Sequence, residues 1–251
     1  NSARDRFLES IDQINAGKLC LTEFAVRSCL IASKIAFMYA RNKRTFAPMS
    51  ADTPLISYQN VRKVLLTSLG KTLASEAILD KAIALREEKG NGVSKESTQL
   101  CNIAKYYISD ESLNTGLALR EKMGSQGLFC NNKVADYIVG AMGAVTAEGD
   151  NEVLKIKTAK DLMMDMSTLD LLTIKPILFK YSFKSPESCL KIIKTDFESQ
   201  ITDVKRSLYL EKLKGKDFFK SYNNEVNRFI ETGRIYGNYI ALEAMLMKGH
   251  S

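Results

Sequence analysis

Arg27, Lys34 and Arg41 recur at seven-residue intervals, close to two helical turns, so their cationic heads line one stripe of a helix. They belong to a longer basic segment. Between Phe24 and Ser75 stand Arg27, Lys34, Arg41, Lys43, Arg44, Arg62, Lys63 and Lys71, against the single acid Asp52. That segment carries a charge equal to the +7 of the whole chain, and the remaining 28 basic and 28 acidic residues cancel. Localised cation excess of this kind fits a polyanionic partner. A solvated helix face would place acids three or four positions beyond its basic residues, and Arg27, Lys34 and Arg41 have none there. Phe37, Tyr39, Phe46 and Tyr58 are interleaved with the cations, and flat rings beside cations suit stacked bases of single-stranded nucleic acid. A second basic group, Lys175, Lys180, Lys184, Lys191 and Lys194, is diluted by Glu187 and Asp196. Lys180 and Lys184 could supply the far wall of a cleft, or simply a solvated surface.

Other chemistry is thinly supplied. The one histidine, His250, sits next to the chain end, where an imidazole is poorly held for acid–base work. Leu69-Gly70-Lys71-Thr72 resembles the end of a phosphate-binding loop, but Leu65 stands where that pattern needs glycine. Asp161, Asp165 and Asp170 are interleaved with Met163, Met164 and Met166, and no Glu or His stands nearby at ligand spacing. The five cysteines, Cys20, Cys29, Cys101, Cys130 and Cys189, form no Cys-x-x-Cys pair and read as reduced thiols of a cytosolic setting. The sequence thus offers no catalytic residue, no metal site and no cofactor site.

The elements that must position the cations read as helices. Only 4 prolines interrupt 251 residues, 45% of which are apolar, and no apolar run is long enough to span a membrane. The pattern predicts helices over about 4–15, ended by Gly17, and 23–42, capped by Thr22. A loop follows to Pro54, then helices over 57–69, with Gly70 at its end, and 73–88. Gly90-Asn91-Gly92 is a break. Ser94 opens a helix to Ile108, Asp110 opens another to Met123, and Gly124 to Gly127 is a second break. A helix over 131–145 precedes a polar stretch, 148–157, where a turn or hairpin fits. Further helices are expected over 168–179, 186–213, 216–231 and 235–247. The expected class is all-α, in two helical lobes, 1–147 and 148–251, with a positively charged groove between them. The terminal helix would serve docking or oligomerisation. The start at Asn1 rather than Met reads as a fragment of a longer protein.

Three runs carry a family resemblance. Leu55-Ile56-Ser57-Tyr58-Gln59-Asn60, Asn102-Ile103-Ala104-Lys105 and Gly127-Leu128-Phe129 are similar in order and rough spacing to motifs of segmented negative-strand RNA virus nucleoproteins, most closely those of plant emaraviruses. The family's second motif has an arginine that Asn102-Ile103-Ala104-Lys105 lacks. The resemblance implies a two-lobed helical body with a groove for genomic RNA, and Ser57, Tyr58, Arg62 and Lys63 beside it.

The expectation is therefore a non-catalytic nucleocapsid protein. It would coat single-stranded RNA as a homo-oligomer, through phosphate contacts by Arg27, Lys34, Arg41, Lys43, Arg44, Arg62, Lys63 and Lys71, with Tyr58, Lys180 and Lys184 as further RNA-binding residues. The viral polymerase would be a further partner, and the protein would reside in host cytoplasm and virion without inserting into a membrane. The rival reading is a helical scaffold or effector whose basic face meets an acidic protein or an anionic membrane. An enzyme is the third reading, opposed by the scarcity of histidine and the missing glycine fingerprints.

Overall fold

Alanine lines the inner face of the first helix. Ala25, Ala32, Ala36 and Ala40 are each 1% exposed, and so small a residue lets neighbouring helices approach closely. The computed structural model describes residues 2–48, 50–89, 94–166 and 185–249. Its helices are α1 (Ala3–Asn42), α2 (Gln59–Lys89), α3 (Lys95–Lys122), α4 (Val134–Thr146), α5 (Asn151–Asp165), α6 (Pro186–Leu213), α7 (Phe218–Asn224) and α8 (Val226–Gly249). The all-α class is correct. The loop expected after Asn42 contains a short antiparallel hairpin, β1 (Arg44–Ala47) with β2 (Ser50–Pro54), pairing Arg44 with Pro54 and Thr45 with Thr53.

The expected breaks at Gly17, Gly70 and Asp110 do not occur. Each lies inside a continuous helix, α1, α2 and α3 respectively. An internal glycine costs a helix only about 1 kcal/mol, and long buried faces outweigh that. In α3 every residue from Cys101 to Ser109 is buried, so the helix is held from all sides and Asp110 continues it. Ser94 does cap α3, its side chain accepting from the Ser97 backbone N–H at 3.4 Å. The polar stretch after Glu148 is mostly helix α5, capped by Asp150, whose carboxylate accepts from the N–H groups of Glu152 and Val153. The Gly90–Gly92 break, the helix expected over 168–179, and Lys175, Lys180 and Lys184 lie outside the described residues.

Contacts divide the chain into two units, Asn1–Glu148 and Gly149–Ser251. In the first, α3 packs on α1, α2 and α4. Its core joins Ala32, Ala36 and Ala40 to Val61, Leu65, Leu119, Met123, Val134 and Ile138. In the second, α8 packs on α5 and α6 around Ala159, Ile201, Val204 and Phe229. There the Phe197 ring meets Tyr236 edge-on at 4.9 Å and Tyr239 at 5.3 Å. Among the described residues no helix is long and apolar enough to cross a membrane.

Candidate functional site

The cationic stripe is partly neutralised by acids brought from elsewhere. Arg27 donates through Nε to Glu23 at 2.7 Å and through Nη1 to Glu76 at 2.8 Å. These partners raise its already high pKa, the Glu23 hydrogen bond most. Lys71 pairs with Glu111 at 2.7 Å, and Arg44 lies 3.7 Å from Asp52. Lys34, Arg41, Lys43, Arg62 and Lys63 are exposed. Tyr58 spends its hydroxyl on the Phe46 carbonyl at 2.7 Å. The motif Asn102-Ile103-Ala104-Lys105 is wholly buried in α3, and Lys105 is 0% exposed, so this run faces no groove. Among the described residues no group of three or more His, Cys, Asp or Glu could hold a metal ion.

A different site emerges just beyond α4, at Glu148, the last residue of the first unit. The last turn of α4 closes with Ala147 N–H donating to the Gly143 carbonyl at 3.0 Å. The next two residues are left-handed, Glu148 at φ 57° and Gly149 at φ 111°. Glycine takes such a conformation freely; glutamate does so at a cost of order 1–3 kcal/mol. Residues held in this way cluster at working sites. Ahead of Glu148, Lys105 anchors the end of α4, its buried Nζ donating to the Val145 carbonyl at 2.8 Å. Glu148 itself is exposed, and its carboxylate rests against the backbone of α1 at Gly17. A solvent-accessible carboxylate lying against a helix backbone can serve as a general base.

A cleft of about 420 Å³ opens in the same unit. It is lined by Ile35, Met38, Tyr39, Asn42, Lys43 and Met123 together with the amides Gln126 and Asn132. Lys43 is pinned by its backbone, donating to Tyr39 and accepting from Leu55, both at 2.8 Å. Asn132 Nδ2 donates to the carbonyl and the side-chain oxygen of Gln126, at 2.7 and 3.1 Å. The lining thus offers one ammonium, Lys43, and the side-chain amides of Asn42, Gln126 and Asn132.

The family model for the "Acyl-CoA oxidase, C-alpha1 domain" matches residues 15–163, a span that includes Gly17, the cleft and Glu148. The chain belongs to the acyl-CoA oxidase C-alpha1 family. This C-alpha1 chain is 24% identical over 163 residues to peroxisomal acyl-coenzyme A oxidase 3 of Arabidopsis thaliana, covering 64% of itself and 24% of that relative. It thus spans about a quarter of the curated relative's length. Its fold is similar to that of an acyl-CoA oxidase from tomato, with a TM-score of 0.75 at 17% identity, over 94% of this chain and 40% of that one. It is also similar to Caenorhabditis elegans acyl-CoA oxidase-2 bound with FAD, ascaroside-CoA and ATP. There the TM-score is 0.77 at 14% identity, over 95% of this chain and 38% of that one.

Membership of the C-alpha1 family overturns the nucleoprotein expectation. The RNA-coating oligomer, the viral polymerase partner and the reading as a non-catalytic protein fall with it, as does the scaffold alternative. The curated relatives are named as peroxisomal, which corrects host cytoplasm and virion. The nucleoprotein motifs were short and degenerate, and Arg27 and Lys71 are paired with Glu23, Glu76 and Glu111. Glu148 was not among the residues singled out from the sequence. Its signal was an acid directly before a glycine, between two helices and followed by a capping aspartate.

Proposed function

We propose that this C-alpha1 chain supplies the proton-abstracting base of an acyl-CoA oxidase, and that Glu148 is that base. The observation carrying the reading is a non-glycine carboxylate in left-handed backbone, inside the segment that the family model matches. Desaturating an acyl thioester removes a proton from the carbon α to the carbonyl and a hydride from the β carbon, leaving a double bond between them. The thioester carbonyl acidifies the α position, and a carboxylate oxygen of Glu148 takes that proton.

A flavin, when bound, supplies the hydride acceptor for this chemistry. The cleft beside Lys43 does not fit that role: its α1 lining begins at Ile35, 18 residues beyond Gly17, roughly 27 Å at 1.5 Å per residue, so a ring held there stands too far from Glu148 to take a hydride from the same thioester. The charged groove anticipated for RNA has no part in this reading. The peroxisomal names of the Arabidopsis relatives favour the same compartment here.

The test is Glu148→Gln in the flavin-loaded protein. The amide keeps the shape and cannot accept the proton. Rapid mixing with a saturated acyl-CoA should bleach the flavin absorbance at least about 100-fold more slowly than in the parent protein, with flavin content unchanged. Bleaching at the parent rate would defeat the proposal.

A further inference from the structure

We infer that Gly17 is a positioning residue for Glu148, kept without a side chain so that the carboxylate can lie on the backbone of α1. The inference rests on the reading of Glu148 as the base. A Cβ built at position 17 would stand 2.6 Å from Glu148 Oε1, 2.8 Å from Cδ and 3.3 Å from Oε2. The whole carboxylate therefore covers this one helical position.

Glycine inside a helix loses about 1 kcal/mol to alanine, so its presence here needs another reason. A Cβ at Gly70, inside α2, would meet nothing within 4 Å. Gly17 differs in being occupied from outside. The helix around it is also immobilised. Asn15 Nδ2 donates to Thr98 Oγ1 at 3.1 Å, and Lys18 Nζ donates to Asn102 Oδ1 at 2.7 Å and Asn15 Oδ1 at 3.2 Å. These clamps bind α1 to α3 on both sides of Gly17. The floor is held by these bonds, and what a Cβ at position 17 would meet is the far end of the Glu148 side chain. A methyl group at position 17 displaces the carboxylate and leaves the helix intact.

The experiment compares Gly17→Ala, Gly70→Ala, Glu148→Gln and the double variant Gly17→Ala/Glu148→Gln in the flavin-loaded protein. Melting temperature, flavin-bleaching rate, half-saturating acyl-CoA and the isotope effect with α-deuterated acyl-CoA are measured. Gly17→Ala should melt no lower than the parent. It should bleach about 10- to 100-fold more slowly, at unchanged half-saturation and with a larger isotope effect. Gly70→Ala should keep the parent rate. The double variant should be no slower than Glu148→Gln alone, because Gly17 acts only through that carboxylate.

A parent-like rate in Gly17→Ala, beside a slow Glu148→Gln, overturns the inference and leaves the base assignment standing. So does a lowered melting temperature or failure to fold, which would make Gly17 a packing residue. A further slowing in the double variant has the same consequence. A fast Glu148→Gln instead overturns the base assignment itself.

Discussion

The ammonium of Lys105, 0% exposed in the middle of α3, donates a 2.8 Å hydrogen bond to the carbonyl of Val145 near the end of α4. The terminal carbonyls of a helix carry its negative dipole end and lack intrahelical donors. A buried cation satisfies one of them and anchors the last turn, three residues before Glu148.

Lys105→Met should therefore cost stability. The methionine fills similar volume but leaves the Val145 carbonyl without this donor. Loss of a charge-assisted bond in a buried site predicts a destabilisation of about 2 kcal/mol. Urea unfolding followed by circular dichroism measures it. A midpoint equal to the parent's would contradict the anchoring role.

Gly233 in α8 makes the opposite case to Gly17. A Cβ there would meet backbone of α5, 2.6 Å from the Lys155 carbonyl oxygen and 2.8 Å from its Cα. Backbone cannot swing aside, so the two helices must separate. Gly233→Ala should destabilise by about 1–3 kcal/mol, visible as a lower melting temperature. Gly17→Ala, which meets only a side-chain end, should show no such loss.

Tyr239 gives the second unit an alkaline limit. Burial, together with its 3.0 Å hydrogen bond to Glu243, pushes its phenol up to about 12 from 10.0. The folded form holds the proton more tightly than the unfolded form. The stabilisation is complete below pH 10 and is lost as pH rises through about 12. Thermal melts between pH 9 and 12 should show falling stability, smaller in Tyr239→Phe. A pH-independent difference between the two proteins would rule out the phenol as the cause.

The sequence by itself determined the helical class, the cap at Ser94 and the span of α6, because apolar periodicity, capping side chains and proline act over a few residues. It misjudged Gly17 and Gly70, since a local rule counts the cost of glycine but not the burial that sustains α1 and α2 around it. Only the tertiary structure decided the charges: Glu76 and Glu111 reach Arg27 and Lys71 from other parts of the fold, so a segment cationic in sequence is partly neutral in space. It also decided the candidate site. Glu148 and Gly17 lie far apart along the chain and meet because α4 packs on α1, and no short-range pattern encodes a contact made by helix packing.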